Sequence, residues 1–264
     1  MKKHFLFAFG FMLASILNAQ ENRKTAVYED GNSLEDKIHN PIANMASIPL
    51  NYDLSINDDY VNSVNLQPTI PVKLSKNLLL VTQANLPLIN AQTEKGYENG
   101  VGNTTILGTL TTAKQSDFSW GFGPAFMLPS GLKGLGFDKL SIGPSVIALK
   151  QTNGFTYGLI LQNYFSVAGP SNTEDVNYLN SQIILSKRLN RGWYVYSNPY
   201  ITANWNAPSK KQWEVPIGAG AGKLITHNRY LPINLKAGVY KYLSHPTNAD
   251  WLVQMQATFI IKQN

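Results

Sequence analysis

Ser47-Ile48-Pro49-Leu50-Asn51-Tyr52-Asp53-Leu54-Ser55-Ile56 alternates without a break: Ile48, Leu50, Tyr52, Leu54 and Ile56 share one phase, and Ser47, Pro49, Asn51, Asp53 and Ser55 the other. Side chains on a strand point to opposite faces in turn, so this stretch is a strand with one apolar and one polar face. Leu66, Ile70, Val72 and Leu74 alternate in the same way with Asn65, Gln67, Thr69 and Lys73. At the far end Trp251, Val253, Met255, Ala257, Phe259 and Ile261 alternate with Gln254, Gln256 and Thr258. Twelve such segments follow one another: about 47–57, 62–74, 77–88, 103–113, 118–128, 138–150, 154–167, 175–188, 191–205, 211–224, 230–242 and 250–262. No comparable helical period follows residue 46.

A soluble sandwich or lipocalin-like barrel would turn these apolar faces inward, and an outer-membrane barrel would turn them to lipid. Segment length favours the second, because globular strands cluster near five or six residues and a tilted bilayer-crossing strand needs about nine to eleven. The polar faces are mostly uncharged Asn, Gln, Ser, Thr, Gly and Tyr, unlike the Lys/Glu-rich exterior of a soluble fold. The connections also alternate. Those after even segments are short (Ser75-Lys76, Lys114 to Asp117, Thr152-Asn153, Asn190, Ile225 to Arg229), whereas Ile89 to Gly102, Pro129 to Phe137, Ala168 to Glu174 and Leu243 to Ala249 are longer. Short turns on one side, long loops on the other and an even strand count are the pattern of a barrel with both termini in the periplasm. Trp120, Trp193, Trp205, Trp213 and Trp251 all fall near segment ends in the apolar phase, as an interface girdle requires. The expected fold class is therefore all-β, an antiparallel transmembrane β-barrel of about 12 strands spanning 47–264.

The composition agrees. The chain has 264 residues, 14% charged and 11% aromatic, with 20 Gly and no Cys, which removes disulfide scaffolds, thiolate metal sites and cysteine nucleophiles. Lys2-Lys3 followed by the apolar run Phe5 to Leu17 and by Ala19-Gln20 has the layout of a secretory signal peptide, 1–19, that is cleaved after Sec export. Loss of Lys2 and Lys3 lowers the net charge from +6 to +4, and the remaining basic residues form no stripe, so no nucleic-acid partner is expected. Segment 20–46 is polar. Its stretch Leu34 to Met45 either forms one or two helical turns, folding into the barrel mouth or lumen as a partial plug, or is a disordered lead-in.

Pro68, Pro71, Pro124, Pro144, Pro199, Pro216 and Pro232 fall inside the proposed strands, where each removes a ladder donor, so bulges are expected at some of them. Several of the same stretches resemble a family. They are Asn40-Pro41-Ile42-Ala43 with Ser47-Ile48-Pro49, Gln67-Pro68-Thr69-Ile70-Pro71-Val72, Trp120-Gly121-Phe122-Gly123-Pro124 and Leu128-Pro129. Gly143-Pro144-Ser145, Gly154-Phe155-Thr156-Tyr157-Gly158, Phe165-Ser166-Val167-Ala168-Gly169, Val215-Pro216-Ile217-Gly218, Gly222-Lys223, Pro246 and Asp250-Trp251 continue the match. Together they resemble the bacterial outer-membrane "transporter" barrels grouped with the barrel of the meta-pathway for phenol degradation, often mislabelled neuromedin U. The resemblance implies a twelve-strand barrel, a transport role without catalytic residues, and strand prolines as a family trait. The chain departs from outer-membrane barrels at its end, Phe259-Ile260-Ile261-Lys262-Gln263-Asn264, which lacks a terminal aromatic residue.

The expected function is a porin-like transporter or channel in the outer membrane of a Gram-negative cell that binds or passes small molecules. Its lumen path is Asp53, Lys73, Arg188, Glu214, Lys236, Tyr194, Tyr196, Tyr200 and Tyr240. A structural or adhesive surface barrel acting through its loops is one alternative, and an outer-membrane lipid-modifying enzyme is another. His39, His227 and His245 stand near turns or Pro without a second histidine at metal-ligand spacing and read as solvated loop residues, so neither catalytic, cofactor nor metal sites are assigned. Gly218-Ala219-Gly220-Ala221-Gly222 sits within a strand pattern, where small residues in one phase make room for neighbours. Outer-membrane lipid, the barrel-insertion machinery and small solutes, apolar or aromatic ones among them, are the expected partners.

Overall fold

The computed structural model describes residues 33–56, 60–93, 96–114, 116–129, 136–226, 231–246 and 249–261; the signal peptide, residues 20–32 of the polar N-terminal segment, His227 and the C-terminal Lys262-Gln263-Asn264 lie outside them. Twelve antiparallel strands close into a barrel of the transmembrane type. They are β1 (Ala46–Ile56), β2 (Tyr60–Leu66 and Thr69–Lys73), β3 (Leu78–Thr93), β4 (Gly96–Val101 and Thr105–Thr112), β5 (Phe118–Met127) and β6 (Leu140–Thr152). The circuit continues with β7 (Phe155–Ala168), β8 (Asn177–Arg188), β9 (Trp193–Ser197 and Tyr200–Asn204), β10 (Trp213–Ile225), β11 (Ile233–Ser244) and β12 (Trp251–Ile261). Sequence neighbours pair all the way round, and β12 returns to β1 in a register running from Ala46↔Ile261 to Ile56↔Trp251. Closure leaves no edge strand, so every strand finds a partner on both sides.

The outward phase is apolar. Ile48, Leu50, Ile70, Val72, Leu86, Leu88, Phe122, Val146, Leu159, Leu161, Val195, Ile217 and Val239 are all exposed on it. Trp120 and Trp193 stand at the short-turn end of this belt, and Trp205, Trp213 and Trp251 at the long-loop end. Trp205 and Trp213 meet edge to face with ring centroids 5.3 Å apart. Apolar side chains have no reason to stay in water, and this arrangement is stable with hydrocarbon around the belt and headgroups at its rims.

Two features differ from the sequence reading. The stretch Ile89 to Gly102 is not a loop: β3 runs on to Thr93 and β4 starts at Gly96, paired from Leu88↔Val101 to Thr93↔Gly96. Gly96, at φ +105, occupies backbone space that L side chains rarely adopt. The second difference lies inside, where the inward phase of β3 to β8 is largely apolar. Leu79, Val81, Leu107, Ala125, Met127, Ile147, Leu149, Ile160, Tyr164 and Ile184 pack into one buried cluster. Leu78-Leu79-Leu80-Val81 already carries apolar residues in both phases, which strict alternation would not.

Six of the seven prolines sit where a ladder is interrupted, whereas Pro71 stays within one, opposite Val81. Pro68 and Pro199 fall in the breaks of β2 and β9, Pro216 at the register shift of β10, and Pro232 just before β11. Pro124 and Pro144 face each other across β5 and β6. On its other side the β4–β5 ladder skips Gly123 and Pro124, and the β6–β7 ladder skips Gly143 and Pro144. Neither missing N–H therefore costs a ladder bond there. Gly123 and Gly143 allow the close backbone approach at these gaps, since a Cβ on them would collide with the carbonyls of Gly108 and Asn163.

Candidate functional site

The barrel interior is divided between the apolar cluster of β3–β8 and a polar wall built by β8 to β12, β1 and β2. Along β10 the inward positions are Gly218, Gly220 and Gly222, and each lodges a tyrosine ring. A methyl group at Gly218 would stand 2.9 Å from the Tyr240 ring, one at Gly220 2.6 Å from the Tyr196 ring, and one at Gly222 would overlap Tyr194. The glycine run therefore lays three tyrosines flat along the wall. Tyr194 donates to Asn234 Oδ1 at 2.8 Å, and the Tyr240 hydroxyl accepts from the backbone N–H of Asn198 at 3.2 Å.

Two adjoining cavities occupy the lumen. One, of ≈ 200 Å³, lies toward the short-turn end and is lined by His39, Asp53, Gln182, Tyr194, Tyr196, Lys236 and Gln254, among others. The second, of ≈ 530 Å³, lies toward the long loops, with Asn65, Asn85, Gln162, Tyr164, Tyr178 and Glu214 on its walls. Asp53, Gln182, Tyr200 and Pro41 border both. Tyr200 is 39% exposed, and because it borders both cavities this exposure is to the lumen.

Residues 33–45 sit within the short-turn mouth. Ser33 caps a single helical turn, α1 (Leu34–Lys37), by accepting the N–H of Asp36 at 3.2 Å. Leu34 is buried against Leu224 and Ile260, with Ile38 and Met45 packed around them, and Ile42 joins the apolar cluster. The segment is also held by charge. Arg188 Nη1 lies 2.7 Å from Asp36 Oδ1 and 3.9 Å from Glu35 Oε2, and it donates to Ser33 Oγ at 3.3 Å. Gln151 Nε2 donates to the Asp36 carbonyl at 2.9 Å.

His39, read from sequence as a solvated loop residue, lies instead in the lumen, edge-on to Tyr194 with centroids 4.5 Å apart. Its Nε2 is enclosed and finds no hydrogen-bond partner among the described residues. Burial first, and then the charges of Lys236 and Arg188, push the imidazole down to about 3. Nothing in the polar 20–46 composition separates this histidine from a solvated one, because its burial comes from a wall built some 150–200 residues away.

The structure brings five of the nine expected lumen residues together and disperses the other four. Asp53, Tyr194, Tyr196, Tyr200 and Lys236 border the smaller cavity. Asp53 accepts from Asn65 Nδ2 at 2.9 Å and Gln254 Nε2 at 3.0 Å, and the Lys236 ammonium lies 5.1 Å from the Tyr196 ring centre. Glu214 borders the larger cavity and Tyr240 supports the wall between strands. Arg188 grips the N-terminal segment, and Lys73 is exposed at the short-turn end of β2, away from both cavities. Sequence reasoning missed His39 and the amides Gln182 and Gln254. Both amides lie in the polar phase of their strands, a signal too common in this chain to single them out.

At the long-loop end, Ser55 Oγ and the Tyr242 hydroxyl are 3.3 Å apart, and the His245 ring packs 4.5 Å from the Tyr242 ring. His245 Nδ1 accepts the N–H of Ala249 at 3.4 Å while Nε2 faces Glu214 Oε1 at 3.9 Å. Both imidazole nitrogens are thus directed at groups other than the serine, and the cluster reads as a polar clasp joining β1, β10 and β11. Among the described residues no three His, Asp or Glu side chains gather as a metal site.

No family model matches the chain, and no curated protein matches it. Solved structures do. An outer-membrane channel of Pseudomonas putida F1 is similar at TM-score 0.62 and 13% identity, over 82% of this chain and 96% of that one. The NanC porin is similar at TM-score 0.51 and 7% identity, over 83% of this chain and all of that one. At these identities the likeness concerns the fold.

Proposed function

We propose that this chain is an outer-membrane channel that admits small solutes through its lumen, with residues 33–45 as a plug that narrows the short-turn mouth. The observation that carries this reading is the combination of an apolar, tryptophan-rimmed exterior with two adjoining polar cavities inside one closed barrel. A structural barrel has no need of hydrated interior space, and charges such as Asp53 and Lys236 are retained in a lumen where they meet water or a permeant. The similar channel and porin support the reading at the level of fold. Export by a cleaved signal peptide and insertion by the barrel machinery belong to the same proposal. So does the solute class: molecules with an aromatic or apolar body and a polar edge, matched to tyrosine faces interleaved with Asn and Gln. Swelling of vesicles reconstituted with the mature protein tests it. Uptake of small solutes above that of empty vesicles is expected, and absence of flux from a barrel that still shows heat-dependent gel mobility would overturn the transport reading.

A further inference from the structure

The outer surface at the short-turn end carries a feature that transport does not use. Lys150 on β6 and Lys187 on β8 both point outward and flank β7, whose own outward residues there are Phe155 and Tyr157. The register sets Lys150 opposite Tyr157 on one side and Phe118 on the other, and Lys187 opposite Phe155. The Lys187 ammonium stands 3.7 Å from the Phe155 ring centre and donates to the Asn153 carbonyl at 2.9 Å. Phe118, Phe155 and Tyr157 are 54%, 49% and 44% exposed, so the two cations are set in an open aromatic surface.

Neither lysine has an ion pair among the described residues. Those flanking the strands at the other end do: Lys139 lies 2.7 Å from Asp175 and Lys241 3.7 Å from Asp250. One exposed acid, Asp117, stands beside Lys150 in the turn before β5, its carbonyl accepting the Gln151 N–H at 2.7 Å, while Arg191 in the turn after β8 adds a further exposed positive charge. The local balance is positive. Ten residues separate Lys150 from Leu140 along β6, roughly 33 Å of strand and about 25 Å along the membrane normal at the usual tilt, the height of the apolar band. Lys150 and Lys187 therefore stand at the level of the headgroups. Two strand spacings and a two-residue offset put their Cα atoms about 12 Å apart, within joint reach of one headgroup between them.

We infer that Lys150 and Lys187, with the ring faces of Phe155 and Tyr157 between them, form a binding site for the phosphate of an anionic glycerophospholipid in the leaflet facing the short turns. The aromatic rings receive the upper acyl chains and glycerol, and the ammonium groups, each with free N–H donors, take the phosphate oxygens. This inference rests on the outer-membrane barrel reading but not on solute transport.

Native mass spectrometry of the mature protein in detergent, titrated with phosphatidylglycerol or phosphatidylcholine, tests it. Wild type is expected to retain phosphatidylglycerol in preference, and the double variant K150Q/K187Q to lose roughly 10- to 30-fold in apparent affinity. K150R/K187R should keep the preference, and K139Q, at the opposite end, should not change it. Equal retention of the two lipids by wild type would overturn the site whatever the variants do, and so would unchanged phosphatidylglycerol binding by a K150Q/K187Q protein with normal heat-dependent mobility. Failure of the barrel reading shows separately, as loss of that mobility shift in wild type, and failure of the channel reading shows only in solute flux.

Discussion

The Arg188 guanidinium ends a strand at the short-turn rim and spends its donors on Asp36 and Ser33, so the N-terminal segment depends on one side chain more than on any other polar group. A charge-assisted hydrogen bond of this kind contributes about 1.5–3 kcal/mol. R188A is accordingly expected to raise vesicle swelling rates severalfold while leaving the barrel's thermal transition nearly unchanged, and D36N to do the same more weakly. His39 adds a pH dependence to the same contact. Its imidazole is neutral when docked and regains an ordinary value near 6.5 when released, so the released state binds the extra proton. Docking is unaffected above about pH 7 and weakens as pH falls through 6.5 toward 3, by on the order of 1–2 kcal/mol at pH 5. Protease cleavage within residues 33–45 should therefore rise between pH 7.5 and pH 5 in wild type. H39Q, which cannot protonate, should show no such rise; equal rises in both would remove His39 from the account.

At the scale of the element, β10 shows how a strand serves its neighbours. Its inward glycines are occupied by the rings of Tyr240, Tyr196 and Tyr194, and its outward Ala219 and Ala221 face the belt. Overfilling such a position costs about 1–3 kcal/mol. G220A should therefore lower the temperature at which the unboiled gel band converts to the unfolded one, because both the Ala237 carbonyl and the Tyr196 ring must give way, while A219V on the opposite face should leave it unchanged. The glycine run was legible in the sequence as small residues in one strand phase, and its partners were not. Alternation assigns a residue to a face but cannot say which ring lies across from it, because that depends on register between strands far apart in the chain.

For the whole molecule, closure is the governing fact. A ladder without edges must break many bonds together, so the folded barrel should resist detergent until heated and migrate differently before and after boiling. The outward phase sets the cost of charge. V146R, at the middle of β6, should destabilise the barrel in lipid by about 2–4 kcal/mol, and L140R, at its long-loop end, by about 0–1 kcal/mol, measured by denaturant unfolding in vesicles. Similar costs at both positions would mean that the belt does not lie in hydrocarbon. An equal absence of cost would place those faces in water.

Strand number, the antiparallel order, the outward face and the end positions of the tryptophans were all determined by local sequence. The twofold period and the spacing of turns act within some fifteen residues, and a closed meander leaves only one neighbour order for them. In the extended β3–β4 hairpin, Glu98, Asn99 and Gly100 carry no apolar period, and strand pairing holds them together with the Asn90 Nδ2 to Asn99 Oδ1 hydrogen bond at 2.7 Å. The contents of the lumen were decided by the tertiary structure. Leu79, Ile147, Leu149 and Ile160 fill one side because they meet one another across the barrel, and Arg188 holds Asp36 across 151 intervening positions. Strand phase fixes only whether a side chain points inward. Whether it then borders water, a ring or the N-terminal segment is fixed by strand register and barrel curvature, which bring distant residues together and leave no periodic trace in the chain.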